Sequence, residues 1–150
     1  MIKFETELFT DSLIDELKIL LPIQDEDLWK HWHNRIDVNW HYYKVLAYNG
    51  NLIAITARDG KELVAYAIFV VVDDPHHTGH IIAKQDSMYV IYDYRREIGS
   101  KFISYCEKII KSKTDAEEIY QSVLPQKDFS HILLRKGYDL AEMTMVKRIR

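Results

Sequence analysis

The stretch Leu63-Val64-Ala65-Tyr66-Ala67-Ile68-Phe69-Val70-Val71-Val72 carries no charge and one side-chain hydroxyl. A run this rich in β-branched and aromatic residues favours a strand, and without polar alternation that strand must be covered on both faces. It is about half of the ~20 residues that cross a bilayer as a helix, so it is expected at the centre of a layered sheet rather than in a membrane. Asp59-Gly60 just before it and Leu52 to Ala57 before that predict a β-hairpin on a two-residue turn signal. Asp73-Asp74-Pro75 ends the run.

The remaining elements arrange themselves around this pair. Ile2 to Phe4 suits a short edge strand. Leu13, Ile14, Leu17, Leu20 and Leu21 fall at helical spacing after Thr10, with Pro22 as the stop, and a second helix is expected from Asp25. Asn39 to Gly50 is read as a helix, although Val45, Ala47 and Asn49-Gly50 also suit a hairpin strand. Ile81 to Val90 is a further strand, and Ile98, Phe102, Tyr105, Cys106, Ile109 and Ile110 trace one face of a helix. Cys106 therefore belongs to the core. Ile119 to Leu124, a short helix through Ile132 and Leu133 closed by Gly137, and a last strand over Leu140 to Val146 complete the order. This is an α+β fold: a mixed, mostly antiparallel central sheet flanked by helices, with at least one parallel crossover.

No Pro, Ser or Gly tract and no repeat divides residues 1–150, so one domain is expected. The formal net charge of −3 argues against a nucleic-acid partner, whose phosphates select basic domains. The opening Met1-Ile2-Lys3-Phe4-Glu5-Thr6-Glu7 has acids where an export signal would be basic then apolar, and the single cysteine forms no disulfide framework; both fit a cytoplasmic setting.

The chemistry signal lies where the strand ending at Val90 turns into the helix. Tyr94-Arg95-Arg96-Glu97-Ile98-Gly99-Ser100-Lys101 puts unpartnered backbone N–H groups, a glycine and three basic side chains at a helix N-terminus, a pattern that suits a diphosphate as well as it suits a plain basic helix start. Met88 to Ile103, with Leu133-Leu134-Arg135-Lys136-Gly137-Tyr138, resembles the GNAT family of N-acetyltransferases, whose motif runs strand, Arg/Gln-x-x-Gly-x-Gly/Ala, helix.

The resemblance implies acetyl-CoA as co-substrate and a primary amine, on a small molecule or a protein, as acceptor. It assigns the pyrophosphate to Arg95, Arg96, Glu97, Ile98, Gly99, Ser100 and Lys101, and the acetyl arm to Met88, Tyr89 and Val90. Asp86 matches the place of a general base on the strand, and His80 is a second base or relay. Strand alternation sets Asp86 on one face with Lys84 and Met88, opposite Ser87, and a surface pair with Lys84 or Arg58 is its other reading. The aromatic region contributes Trp32, His33, Trp40 and Tyr43 to the acceptor pocket, although such rings also serve as core.

Two departures stand out: the Gly-rich stretch is one residue short with Lys101 at its last small position, and Leu133 occupies the place of the family's tyrosine acid. They favour the alternative of a catalytically degenerate module that senses acetyl-CoA or acts through protein contacts. His76 and His80 have metal-ligand spacing, yet a loop of histidines without further ligands reads as polar surface, and no metal is expected. A homodimer through the sheet is compatible with the fold.

Overall fold

The computed structural model describes residues 1–29 and 36–150. At its centre, β1 (Ile2–Glu7), β2 (Leu52–Asp59), β3 (Glu62–Asp73), β4 (Ile81–Val90) and β5 (Glu118–Tyr120) form one sheet in that spatial order. The first four are antiparallel neighbours, and β5 lies parallel to β4. Between β4 and β5 the chain crosses over through α3 (Arg95–Lys113), and α1 (Asp11–Trp29) and α2 (Trp40–Tyr48) precede β2. A short α4 (Ser130–Arg135) follows β5.

The apolar run is β3, and it is central as its composition demands. Val64, Ala65, Ala67 and Phe69 have no exposed surface, and Tyr66 has 2%. Two cores result. On one face Ala67, Phe69 and Ala83 pack against Ile98, Phe102, Cys106 and Ile110 of α3; on the other Tyr66, Ile68 and Tyr89 pack against Leu13, Leu17 and Leu20 of α1. The Asp59-Gly60 signal is the β2–β3 turn, with Gly60 at φ +60°, a backbone region a side chain resists. Asn39 caps α2, its Oδ1 accepting the Tyr42 N–H at 3.1 Å, and Gly50 closes it at φ +75°.

Three expectations change. A single helix α1 runs through Pro22 in place of two. Although proline costs about 3 kcal/mol inside a helix, the sheet-facing stripe Leu13, Leu17, Leu20 continues at Gln24, so packing on both sides of Pro22 holds the helix together. β5 ends at Tyr120 rather than Leu124, because the chain veers from β4 and makes an isolated bridge between Leu124 and Lys127. Leu140 to Val146 is not a strand: this segment has no regular structure, and Leu140, Met143, Met145 and Val146 are exposed. A strand is held by ladder bonds to a neighbour, and the segment has none among the described residues. No described helix is long and apolar enough to cross a membrane.

Candidate active site

The site is set by one irregularity in β4. Ile68 of β3 pairs with Ser87 and Phe69 pairs with Gln85, so Asp86 is an extra residue with no partner. Such a bulge shifts the side-chain alternation by one. Asp86 and Ser87 consequently share the α1-facing side, where both line one cleft, while Met88 turns to the α3 core. The expected grouping of Asp86 with Met88, opposite Ser87, is thus corrected.

The cleft, of about 230 Å³, lies between α1, α2 and the middle of β3 and β4. At its mouth the exposed Asp86 carboxylate accepts a hydrogen bond from the Tyr43 hydroxyl at 2.8 Å. Neither Lys84 nor Arg58 pairs with Asp86: Lys84 lies over the Tyr120 ring, and Arg58 is held by Glu7 and Glu16. At its floor the buried Tyr66 hydroxyl donates to Gln24 Oε1 and lies 2.8 Å from Ser87 Oγ, which also accepts from Gln24 Nε2 at 3.3 Å. Burial pushes the Tyr66 phenol up to about 12. Burial, then the bond to Asp86, pushes Tyr43 up further, so both stay protonated donors at neutral pH. Phe9, Trp40 and Tyr43 form one wall, with ring centroids 6.3 to 6.5 Å apart.

Of the aromatic candidates, Trp40 and Tyr43 line the cleft; Trp32 and His33 lie outside the described residues. His80 is not part of the site. It stands six residues up the strand from Asp86, roughly 20 Å at strand rise, where its ring nitrogens pair with Glu117 and, at 2.5 Å, Glu118. The Glu118 contact, reinforced by Glu117, raises its pKa against the opposing effect of desolvation. His80 therefore ties the start of β4 to β5 rather than relaying protons to Asp86.

The other candidates surround the end of β4. Met88, Tyr89 and Val90 pair with Ala67, Tyr66 and Ala65 of β3. On the opposite edge β4 meets β5 only from Ile82 to Lys84, so among the described residues the strand from Gln85 to Val90 has no ladder there. A hydrogen bond at 3.1 Å from the Ser122 N–H to Gln85 Oε1 spans the start of this gap.

A 3-10 turn, Tyr92–Tyr94, runs directly into α3 without an intervening loop. It satisfies two N–H groups at the helix start: Tyr94 donates to the Ile91 carbonyl at 2.9 Å, and Arg95 to that of Tyr92. Arg96 and Glu97 complete the first turn, whose amides have no partner four residues back within α3 itself. Gly99, Ser100 and Lys101 sit deeper, where helical N–H groups bond the carbonyl four residues back, so their expected amide role is reduced. Ile98 is buried in the α3 core.

Arg95 does not face an anion site. Its Nε donates to the Val90 carbonyl at 2.9 Å, its Nη2 meets Asp27, and its guanidinium lies over Tyr89 and Tyr92. Burial works to raise Asp27, yet Arg95 and Lys127 hold it below the usual carboxylate range. Arg96 and Lys101 are exposed and without an ion-pair partner among the described residues, and a Cβ built on Gly99 meets nothing within 4 Å. Leu133, at 5% exposure, is part of the core and offers no acid.

Gln24, Tyr66, Ser87 and Phe9 complete the cleft and were not singled out from the sequence. Gln24 is the one polar residue on α1's sheet-facing stripe, and Tyr66 bears the one hydroxyl of the apolar run, so each carried a signal. Ser87 carried none, because the bulge that turns it inward has no sequence mark.

Comparisons with known proteins agree with this fold. The model of the Acetyltransferase (GNAT) family matches residues 9–138. No curated protein matches the chain. Among solved structures, an aminoglycoside acetyltransferase from an uncultured soil metagenomic sample, solved with sisomicin, is 17% identical with a TM-score of 0.72, over 99% of this chain and 95% of that one. A ribosomal-protein-alanine N-acetyltransferase from Brucella melitensis biovar Abortus 2308 is 19% identical with a TM-score of 0.74, over 100% and 99%. AAC(6')-Iy, solved with the bisubstrate analogue CoA-S-monomethyl-acetylneamine, is 12% identical with a TM-score of 0.69, over 100% and 99%.

Proposed function

The chain belongs to the GNAT acetyltransferase family, and from that premise we propose that it transfers the acetyl group of acetyl-CoA to a primary amine by direct attack. The observation that carries this reading is the Asp86 carboxylate, pushed into the cleft by the β4 bulge and held there by Tyr43.

The acetyl-CoA site would be built from the open edge of β4 from Gln85 to Val90, the Arg96 and Glu97 amides, and the unpaired side chains of Arg96 and Lys101. Gly99 leaves room for a phosphate to approach α3. When bound, acetyl-CoA supplies a thioester carbonyl that a neutral amine can attack. Asp86 accepts the proton that the nitrogen loses, directly or through a water. Tyr43 holds that carboxylate by its 2.8 Å hydrogen bond, and the α1 and α2 walls orient the acceptor. With Leu133 in place of an acid, the leaving thiolate takes its proton from solvent.

A second reading, a module that binds acetyl-CoA or a protein without turnover, draws support from the same Leu133 and from the start of α3, where a 3-10 turn runs straight into the helix in place of a loop of amides. Calorimetric titration with acetyl-CoA, alongside desulfo-CoA and adenosine 3′,5′-bisphosphate, followed by an amine screen, separates the two. The acetyltransferase reading expects saturable binding, weakened by Gly99→Leu, and turnover on an amine. Binding without turnover favours the module, and no binding at millimolar concentration removes the acetyl-CoA site.

A further inference from the structure

The cleft also constrains the acceptor, on the reading that the chain acetylates an amine. We infer that the acceptor is a small primary amine with a single aromatic body, an arylalkylamine, rather than a polycationic sugar or a protein segment.

The argument begins with charge. Asp86 sits at the reacting end, and Asp25 is the only other acid among the described residues lining the cleft. One ammonium group can be met by Asp86. Asp25 offers a carboxylate to at most one more, and any ammonium beyond these would lose its hydration between the apolar walls without gaining a carboxylate, which is costly.

The polar floor does not welcome hydroxyl groups either. Gln24, Tyr66 and Ser87 bond one another, and a sugar hydroxyl would have to break one of those contacts to gain its own. The wall, by contrast, suits a planar apolar group. Phe9, Trp40 and Tyr43 are tilted by 32° to 52° at centroid spacings near those of ordinary aromatic pairs, so a further ring can join them edge to face or offset. Tyr43 belongs both to this wall and to the carboxylate: the ring that receives the aromatic body is linked by 2.8 Å to the group that meets the amine.

Size points the same way. At about 230 Å³ the cleft falls below the roughly 300–1,000 Å³ of sites that hold drug-sized ligands. In the transfer the ammonium loses one proton, the neutral nitrogen attacks the thioester carbon, and the C–N bond forms as the C–S bond breaks. The nitrogen then loses a second proton. Of the two, one ends on the thiolate and one in solvent.

The test compares 2-phenylethylamine, sisomicin and a short peptide with a free N-terminal alanine, each with acetyl-CoA, and measures calorimetric binding of each in the presence of CoA. The expected kcat/KM for 2-phenylethylamine exceeds the others by roughly 100-fold. Trp40→Ala raises its KM about 10-fold with little change in kcat, and Trp40→Phe restores most of the loss. Sisomicin or the peptide reacting as well as 2-phenylethylamine overturns the inference. So does a failure of 2-phenylethylamine to bind or react while acetyl-CoA still binds. Failure of acetyl-CoA itself to bind is a different result, which removes the proposed function, and amine binding then still reads out the chemistry of the cleft.

Discussion

Arg58 holds α1, and with it one wall of the cleft, to the edge of the sheet. All five of its N–H groups are used: Nε and Nη2 on Glu7 at 2.6 and 3.0 Å, Nη1 and Nη2 on Glu16 at 2.8 and 2.7 Å, and Nη1 on the Lys61 carbonyl at 3.0 Å. Arg58 is 14% exposed, Glu7 22% and Glu16 34%. Arg58→Met keeps the stem but leaves two carboxylates facing each other. Breaking a fully buried pair costs about 3–5 kcal/mol. Water can reach Glu16, and Thr56 still donates to Glu7 at 2.6 Å, so the expected loss is nearer 2–3 kcal/mol.

For a domain of this size that corresponds to a fall in Tm of roughly 5–10 °C, measured by circular dichroism. The penalty has a pH signature. Burial would raise Glu7, but the hydrogen bonds from Arg58 and Thr56 hold it below its ordinary value of 4.5 in the wild type. In the variant Glu7 loses the bonds that hold it ionised and protonates more readily, so the gap between wild type and variant narrows as pH falls below about 4.5. A Tm change under 1 °C at pH 7, or a gap that widens in acid, would refute the argument.

Two further outcomes follow from the same structure. Asp27 is held below its ordinary 3.8 by Arg95 and Lys127, despite the opposing effect of burial. Its stabilising contribution is complete above that value and is lost as pH falls through its lower folded pKa, and Arg95→Leu should flatten this acid limb in urea titrations at stepped pH. Cys106 has no exposed surface, and burial raises its thiol; a disulfide reagent such as DTNB should label it only as fast as the protein unfolds, and rapid native-state labelling would contradict the core assignment.

The parts of the fold legible in the sequence are those where one local signal agreed with packing. The β2–β3 hairpin, β4 from Ile81 to Val90 and the buried face of α3 each rest on a periodicity or a turn that the tertiary structure reinforces. Pro22 misled because a local penalty was outweighed by the stripe that continues through Gln24, a contact that only the assembled sheet supplies. Leu140 to Val146 misled because strand propensity has no force without a partner edge. In the site, Asp86, Trp40 and Tyr43 were legible as residue types out of place in a strand or clustered on a helix. The union of Asp86 with Ser87 was not, since a bulge is decided by how two strands pair and leaves no mark in either alone. Arg95 looked like an anion ligand because Asp27, its actual partner, lies 68 residues away.

The central claim is that the β4 bulge presents Asp86 as the proton acceptor of an acetyl transfer. The most direct measurement is the steady-state acetylation rate of Asp86→Asn against wild type at saturating acetyl-CoA, with acetyl-CoA affinity measured on both proteins. The account predicts a fall in kcat of at least about 10-fold, up to the roughly 10²–10⁴-fold that a general base contributes, with affinity for acetyl-CoA nearly unchanged. An equally active variant would contradict it.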